Sequence, residues 1–422
     1  MILARLLGPP RARRHRGAPV VAFVGSVVPD QPRFHTLAFS RAGVLFQRNL
    51  LSAMRRAGLP ADRIFSYLPI SSYPREPRLL IPLQTVLLED GESVTLLPFI
   101  NVTPLKQIMI GGATVAALIP WAIRHRSRAR VVYLYNLTVP PGIIVWLGAR
   151  LIGARIVVSL NDINIPGQTV PSTAASAFDY AIQRWLIPRL DGHVAVSDAI
   201  MEELAPHRTY LRMEGGVAPE VFESTATRNP PDAATFRITA AGSLDRANGI
   251  EVILDAFSRI PDARFRLTIA GRGPLEQRVG QAAARDPRIT YRGFLSHDAV
   301  LDLYRESDIL LNIRLTRQLH TKYFFPSKLL EYLASGTPVV STVTGHVERE
   351  LGDCAFFLRE ETPEATARLL TELAALPSLQ RLERGRRARE YMLRHKTWDA
   401  QAARVVQFIR DVVGWQRGVA AI

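Results

Sequence analysis

The chain has 422 residues, 47% of them hydrophobic, more than a single core usually organises, so two folded domains are expected and a disordered chain is excluded. The single cysteine, Cys354, excludes an internal disulfide and fits a reducing cytoplasm, and no Cys/His cluster has metal-ligand spacing. The formal charge of +15 is spread along the sequence instead of forming a stripe interleaved with aromatics, which argues against nucleic-acid binding.

Residues 1–17, MILARLLGPPRARRHRG, place an apolar stretch before arginines, the reverse of a secretory signal, and read as a basic arm. Residues 18–221 have the pattern of a first α/β domain. PVVAFVGSVVP (19–29) is a continuous apolar run bounded by proline, as a buried parallel strand requires, and FSRAGVLFQRNLLSAMRRAGL (39–59) has helical periodicity. RVVYLYN (130–136), RIVVSLND (155–162) and GHVAVSD (192–198) each end on polar residues at the C-terminal side, where open α/β sheets hold their ligands. The apolar run 107–123 contains Gly111, Gly112 and Pro120 and is short for a membrane span. With RHRSRAR directly after it, the run reads either as a peripheral contact with anionic lipid or as a buried helix with a solvated end.

Residues 222–235 lose apolar periodicity and carry paired prolines, the mark of a linker. From 236 to 397 strands alternate with helices: FRITAAG, GIEVILDAFSRI, RFRLTIAGRG, PLEQRVGQAAA, RITYRG, HDAVLDLYRES, DILLNIR, SKLLEYLAS, TPVVST. That alternation implies a doubly wound parallel sheet. Residues 398–422 open with WDAQAARVVQFIRDVV, an amphipathic helix long enough to lie across both domains.

The most informative segment is 312–340, NIRLTRQLHTKYFFPSKLLEYLASGTPVV, where a strand crosses a polar loop and enters a helix at Pro326 and Ser327. A helix start offers free N–H groups and the positive end of the macrodipole, and Lys322 and Lys328 add mobile positive charge for a phosphate. Glu331 lies four residues after Ser327, on the same helical face, where a carboxylate can accept from ribose hydroxyls. Read without further context, Ser327 is equally an N-cap and Lys328 with Glu331 a surface pair.

FPSKLLEYLASGTPVV resembles the donor-site motif of glycosyltransferase family 4, the group 1 transferases, and in particular its exopolysaccharide and capsule branch. AGSLDRANGIEVILDAF, LTIAGRGPLEQRV, RITYRGFLSHDAVLDLYRESDILLN and DGHVAVSDAIMEEL extend the resemblance. It implies a GT-B architecture, two Rossmann-like α/β domains facing a cleft, and a retaining, metal-free transfer from a nucleotide-sugar donor, with no cofactor. It also implies ribose binding by Glu331. Tyr323 stands where the family has its first glutamate, and Ser243 and Asn248 stand where it has an arginine and a lysine on the diphosphate. Phosphate charge is then expected to be met by Lys328, Lys322 or Arg246. Gly242, Gly271 and Gly273 are expected to approach the nucleotide, with Arg292 and Phe294 beside the base; the same glycines serve equally as tight strand-to-helix turns. GRGPLE lacks the third glycine of a dinucleotide fingerprint, which argues against a dehydrogenase.

In the first domain Ser40, Ala42 and Gly43 are expected on the acceptor loop, and Asn161 and Asp162 at a strand end, with Asp162 either acceptor-orienting or turn-forming. His35, His193 and His297 have no partner at catalytic spacing. The resulting expectation is a transferase acting on a saccharide or polyprenyl-diphosphate-linked acceptor in cell-surface polysaccharide synthesis, in the cytoplasm and peripheral to the inner face of the membrane. A non-catalytic nucleotide-sugar-binding homologue and a nucleotide-sugar 2-epimerase are the rival readings.

Overall fold

The computed structural model describes residues 17–34, 40–136, 140–225, 234–316 and 320–414; nearly all of the basic arm 1–17, His35 and the centre of the 222–235 segment lie outside the described residues. The chain divides into two compact units, one made of 1–214 together with 401–422, the other of 215–400.

In the first unit eight strands form one sheet: β1 (Val20–Gly25), β2 (Ala61–Ser66), β3 (Gln84–Leu87), β4 (Ser93–Leu96), β5 (Arg130–Tyr135), β6 (Arg155–Leu160), β7 (Gly192–Ala195) and β8 (Tyr210–Arg212). Their spatial order is β8-β7-β6-β5-β1-β2-β4-β3. All neighbours run parallel except β3 and β4 at the edge. All six residues of β1 are buried, which is why the sequence there is apolar without alternation. The chain leaves β1 to one side and returns to β5 on the other, so the topological switch point lies between these two strands, beside Gly25 and Tyr135.

The run at 107–123 lies in a 20-residue helix, Leu105–Arg124, long and apolar enough by length and composition to cross a membrane. It packs on the helix Pro141–Leu151, with Gly111 against Ile144 and Gly148 against Val115; added Cβ atoms would lie 2.9 and 2.4 Å from these side chains. Its other face leaves Ile108, Ile119 and Ile123 exposed. The basic cluster after it is partly consumed by the fold. His125 pairs with Asp62, Arg128 donates to Ala18 O and Arg130 to Ala122 O, which leaves Arg124 and Arg126 on the surface.

The second unit holds a six-stranded, all-parallel sheet: β9 (Phe236–Ser243), β10 (Phe265–Arg272), β11 (Ile289–Tyr291), β12 (Ile309–Asn312), β13 (Val339–Thr342) and β14 (Phe356–Leu358). The order is β11-β10-β9-β12-β13-β14, with the switch point between β9 and β12. One core cluster joins Ile238, Ile253, Phe257, Ile269 and Leu370; another joins Tyr304, Leu329, Tyr332, Leu333 and Met392.

The boundary falls earlier than the 222–235 linker expected from composition. Val217, Val221 and Phe222 are buried in the second unit's core, and the helix Pro219–Ser224 is held there by Arg389, which donates to Phe222 O. Polar composition marked the end of this helix, whereas the unit begins at Gly215. At the other end the helix Trp398–Val412 belongs to the first unit from Gln401 onward, where it buries Ala402, Val405, Val406 and Ile409.

Candidate functional site

At the switch point of the second sheet the β9 strand ends in Gly242 and Ser243, and β10 beside it ends in Gly271 and Arg272. The two backbones approach so closely that a Cβ on Gly271 would lie 1.8 Å from Gly242 O, and Gly271 has φ 140°, a conformation side chains rarely adopt. A pocket of about 290 Å³ opens over these glycines and brings together Ser243 and Phe294 from two different loops and Lys328 from a helix start. Arg272 also lines it, with its guanidinium 4.9 Å from the centre of the Phe294 ring, and Phe294 is 65% exposed. Arg272 was missed in the sequence because nothing local distinguishes it from the other arginines.

The helix Ser327–Ala334 aims its N-terminus at this place. Its N-cap is Pro326, which has no side chain to cap the first N–H groups, so Ser327 is the first helical residue and not the cap. Those groups and the dipole favour an anion. Lys328, one residue on, is half-buried, and burial holds its ammonium below the ordinary lysine pKa while Glu331 draws it partly back. The helix is fixed to the sheet by Tyr332, whose hydroxyl accepts from Ala241 N at 3.0 Å and donates to Ala241 O at 2.8 Å.

Several expected positions are occupied otherwise. Tyr323, at the family's first glutamate position, is 1% exposed and packs in the interior, so it does not face a donor sugar; Lys322 lies over its ring at 4.8 Å and points to the surface. Arg246 is drawn away by Glu251 at 2.8 Å. Ser243 and Asn248 form a turn around Asp245: Ser243 Oγ donates to Asp245 at 2.7 Å, and Asn248 gives it both its backbone N–H and its side-chain amide. The loop is therefore closed by one carboxylate where arginine and lysine would have met phosphate. Gly273 turns the chain, its N–H bound to Glu276, and Arg292 is exposed and outside the pocket lining.

A second cavity of about 190 Å³ adjoins the same helix start, lined by Arg314, Thr321, Phe324, Pro326 and Thr344. Arg314 follows β12 and was not distinguished in the sequence.

In the first unit, Ser40 is the N-cap of the helix Arg41–Arg56, its Oγ accepting from Gly43 N, and Ala42 is exposed in the first turn. The strand ends assemble a polar cluster. Asn136, at φ 53°, donates to Asp162 at 2.9 Å and accepts from Asn161 N at 2.9 Å; Asn161 in turn reaches Tyr135 OH at 3.4 Å. A Cβ on Gly43 would lie 3.7 Å from that hydroxyl, so Gly43, Asn161 and Asp162 do meet. Burial pushes the Tyr135 hydroxyl well above the ordinary tyrosine pKa, and the Asp162 charge adds to it. Gln47, also unremarked in the sequence, ties this helix to Ser26 after β1 through both its amide atoms. Beside the cluster lies a cavity of about 590 Å³ lined by Tyr67, Ile110, Val170 and Asp179. His193 is buried, donates from Nε2 to Ile187 O at 2.7 Å, and is held below its ordinary pKa by desolvation, a structural histidine; His297 is exposed at a helix start.

Residues 235–375 match the family described as glycosyl transferases group 1. The match lies wholly within the second unit. The match spans β9 to the helix after β14, so it contains both pockets of the second unit described above. Solved structures extend the likeness to both units. Sucrose-phosphate synthase from Thermosynechococcus elongatus is 16% identical with a TM-score of 0.63, over 94% of this chain and 100% of the other. A glycosyltransferase from Rickettsia africae is 15% identical with a TM-score of 0.64, over 94% and 99%. Anabaena HepE, solved with UDP and glucose, is 12% identical with a TM-score of 0.60, over 93% and 100%. The fold is GT-B. No curated protein matches this sequence.

Proposed function

We propose that the chain is a group 1 glycosyltransferase that takes its sugar from a nucleotide donor held in the second unit. The observation that carries this reading is the pocket over the C-terminal ends of β9 and β10, where glycine backbone, Lys328 and an uncapped helix start converge on one place within the segment that matches the family. In this reading Phe294 stacks on the base, Glu331 accepts from the ribose, and the diphosphate lies against Gly242 and the Ser327 helix. Lys328 stabilises the negative charge that develops on the departing nucleoside diphosphate. The donor's own phosphate takes up the acceptor proton and the anomeric configuration is retained; both follow from the family resemblance. Because HepE has been solved with UDP-glucose, uridine donors are the first to test.

The acceptor hydroxyl belongs to the first unit, with Asp162 and Asn161 as its orienting groups. A saccharide or polyprenyl-diphosphate-linked acceptor of cell-surface polysaccharide synthesis is supported by the likeness of FPSKLLEYLASGTPVV to the exopolysaccharide branch. Peripheral attachment to the inner face of the cytoplasmic membrane is supported by exposed Ile119 and Ile123 beside exposed Arg124 and Arg126. Turnover of UDP-, GDP-, ADP- and dTDP-sugars against lipid-linked acceptors, with Lys328→Ala and Glu331→Ala, tests the reading. Acceptor-dependent nucleotide release abolished in both variants upholds it. Nucleotide binding without turnover would make the chain a binding homologue, and acceptor-independent isomerisation an epimerase.

A further inference from the structure

Arg314 sits immediately beyond β12, and β12 with β9 bounds the switch-point crevice, the position where open parallel sheets hold their ligands. The loops that leave these strands are locked side by side: Leu315 N donates to Ala247 O at 2.9 Å, and a Cβ on Gly249 would lie 2.4 Å from Ile313. The Arg314 backbone is fixed as well, its N–H donating to Thr342 Oγ1 at 2.9 Å. Its side chain lines the cavity of about 190 Å³ whose wall includes Pro326, the N-cap of the Ser327–Ala334 helix.

A guanidinium presents five donors and stays charged, so taking it out of water without a partner is costly. Among the described residues the Arg314 side chain makes no hydrogen bond and no ion pair. The carboxylate that acts on it electrostatically, Asp245, is already engaged by Ser243 and Asn248. The cavity therefore receives positive potential from Arg314 and from the uncapped helix start that follows Pro326. We propose that this cavity is an anion subsite of the donor pocket, in which Arg314 forms a charge-assisted, two-pronged contact with phosphate or carboxylate oxygens of the bound nucleotide sugar. The proposal rests on the donor reading above and adds the cation that replaces the missing arginine and lysine of the Ser243 loop. Two sources supply such oxygens: the diphosphate itself, or a carboxylate on the sugar if the donor is a hexuronate.

The experiment is calorimetric titration of the full chain and of Arg314→Gln and Arg314→Lys with a nucleoside, its diphosphate, the corresponding neutral hexose and hexuronate conjugates, and inorganic pyrophosphate. Arg314→Gln is expected to weaken the anionic ligands by about tenfold or more, to leave the nucleoside unchanged and to flatten the salt dependence, with partial recovery in Arg314→Lys. Loss across all diphosphates assigns the contact to phosphate, and loss confined to the hexuronate conjugate assigns it to the sugar carboxylate. The Tm of ligand-free Arg314→Gln is expected to equal or exceed that of the wild type, because an unpaired charge has been removed. Unchanged affinity for every anionic ligand overturns the proposal. So does a lowered ligand-free Tm with equal losses for nucleoside and diphosphate, which would make Arg314 a structural residue. If nucleotides fail to bind but pyrophosphate binds in an Arg314-dependent way, the donor reading falls and the anion subsite stands.

Discussion

Tyr332→Phe removes one oxygen atom and should disconnect the Ser327–Ala334 helix from the sheet. The β9/β12 ladder is registered only at Ile238 with Ile309 and Thr239 with Leu310, after which the strands diverge at the switch point. Ala241, two residues further on, turns its N–H and C=O to the Tyr332 hydroxyl instead. The ring is 1% exposed, so phenylalanine leaves both backbone groups without water to replace the lost partner. At about 1–3 kcal/mol for each orphaned group, a total near 2–4 kcal/mol is expected. For a unit of this size that lowers the melting midpoint by roughly 5–10 °C.

Tyr304 supplies the control. Its ring meets Tyr332 edge-on at 5.0 Å and is equally buried, but its hydroxyl has no hydrogen-bond partner among the described residues. Tyr304→Phe should therefore be neutral or stabilising. Scanning calorimetry of both variants, with donor titration at 25 °C, reads the difference. Equal melting shifts in the two would refute the assignment of a ladder-replacing role to the Tyr332 hydroxyl.

Gly271→Ala places a Cβ 1.8 Å from Gly242 O at a φ of 140°, so the two glycine loops must separate; a loss of about 1–3 kcal/mol in stability and of most nucleotide affinity is expected, and an alanine variant that binds normally would show that the loops do not need this approach. Because burial depresses the Lys328 pKa, donor affinity should decline on an alkaline limb that begins below 10.5. Between the folded and unfolded pKa values the unfolded chain binds more protons, so ligand-free stability should rise through the same window. Lys328→Arg should carry binding past that limb, and a limb unchanged by this substitution would assign the titration to another group.

The second sheet was legible because parallel strands buried on both faces must be apolar throughout, and β9, β10, β12 and β13 all stand out as short runs between helical periods. The helix at Ser327 and the position of Lys328 were legible for the same local reason. What the sequence could not show was how side chains are shared between distant loops. Tyr323 reads as a loop aromatic, and only packing against the interior removes it from the site. Arg246 and Arg314 are indistinguishable as letters; Glu251 draws one away, and a cavity at the switch point receives the other. The unit boundary at Gly215 was hidden because the helix Pro219–Ser224 is short and its role is set by Arg389, more than 160 positions later.

The first unit is built from two stretches of chain separated by the whole of the second. Synthesis from the N-terminus delivers β1 to β8 early, yet the helix that shields β7, with Phe408 and Val412 against Gly192, arrives only after residue 400. The second unit has all its strands in hand before that. Vectorial production therefore favours an order in which the later unit closes its core first, while the earlier one waits with an apolar stripe uncovered. A nascent chain halted just short of Gln401 would hold a finished second unit attached to an unfinished first one, and that is the state in which a chaperone would be needed.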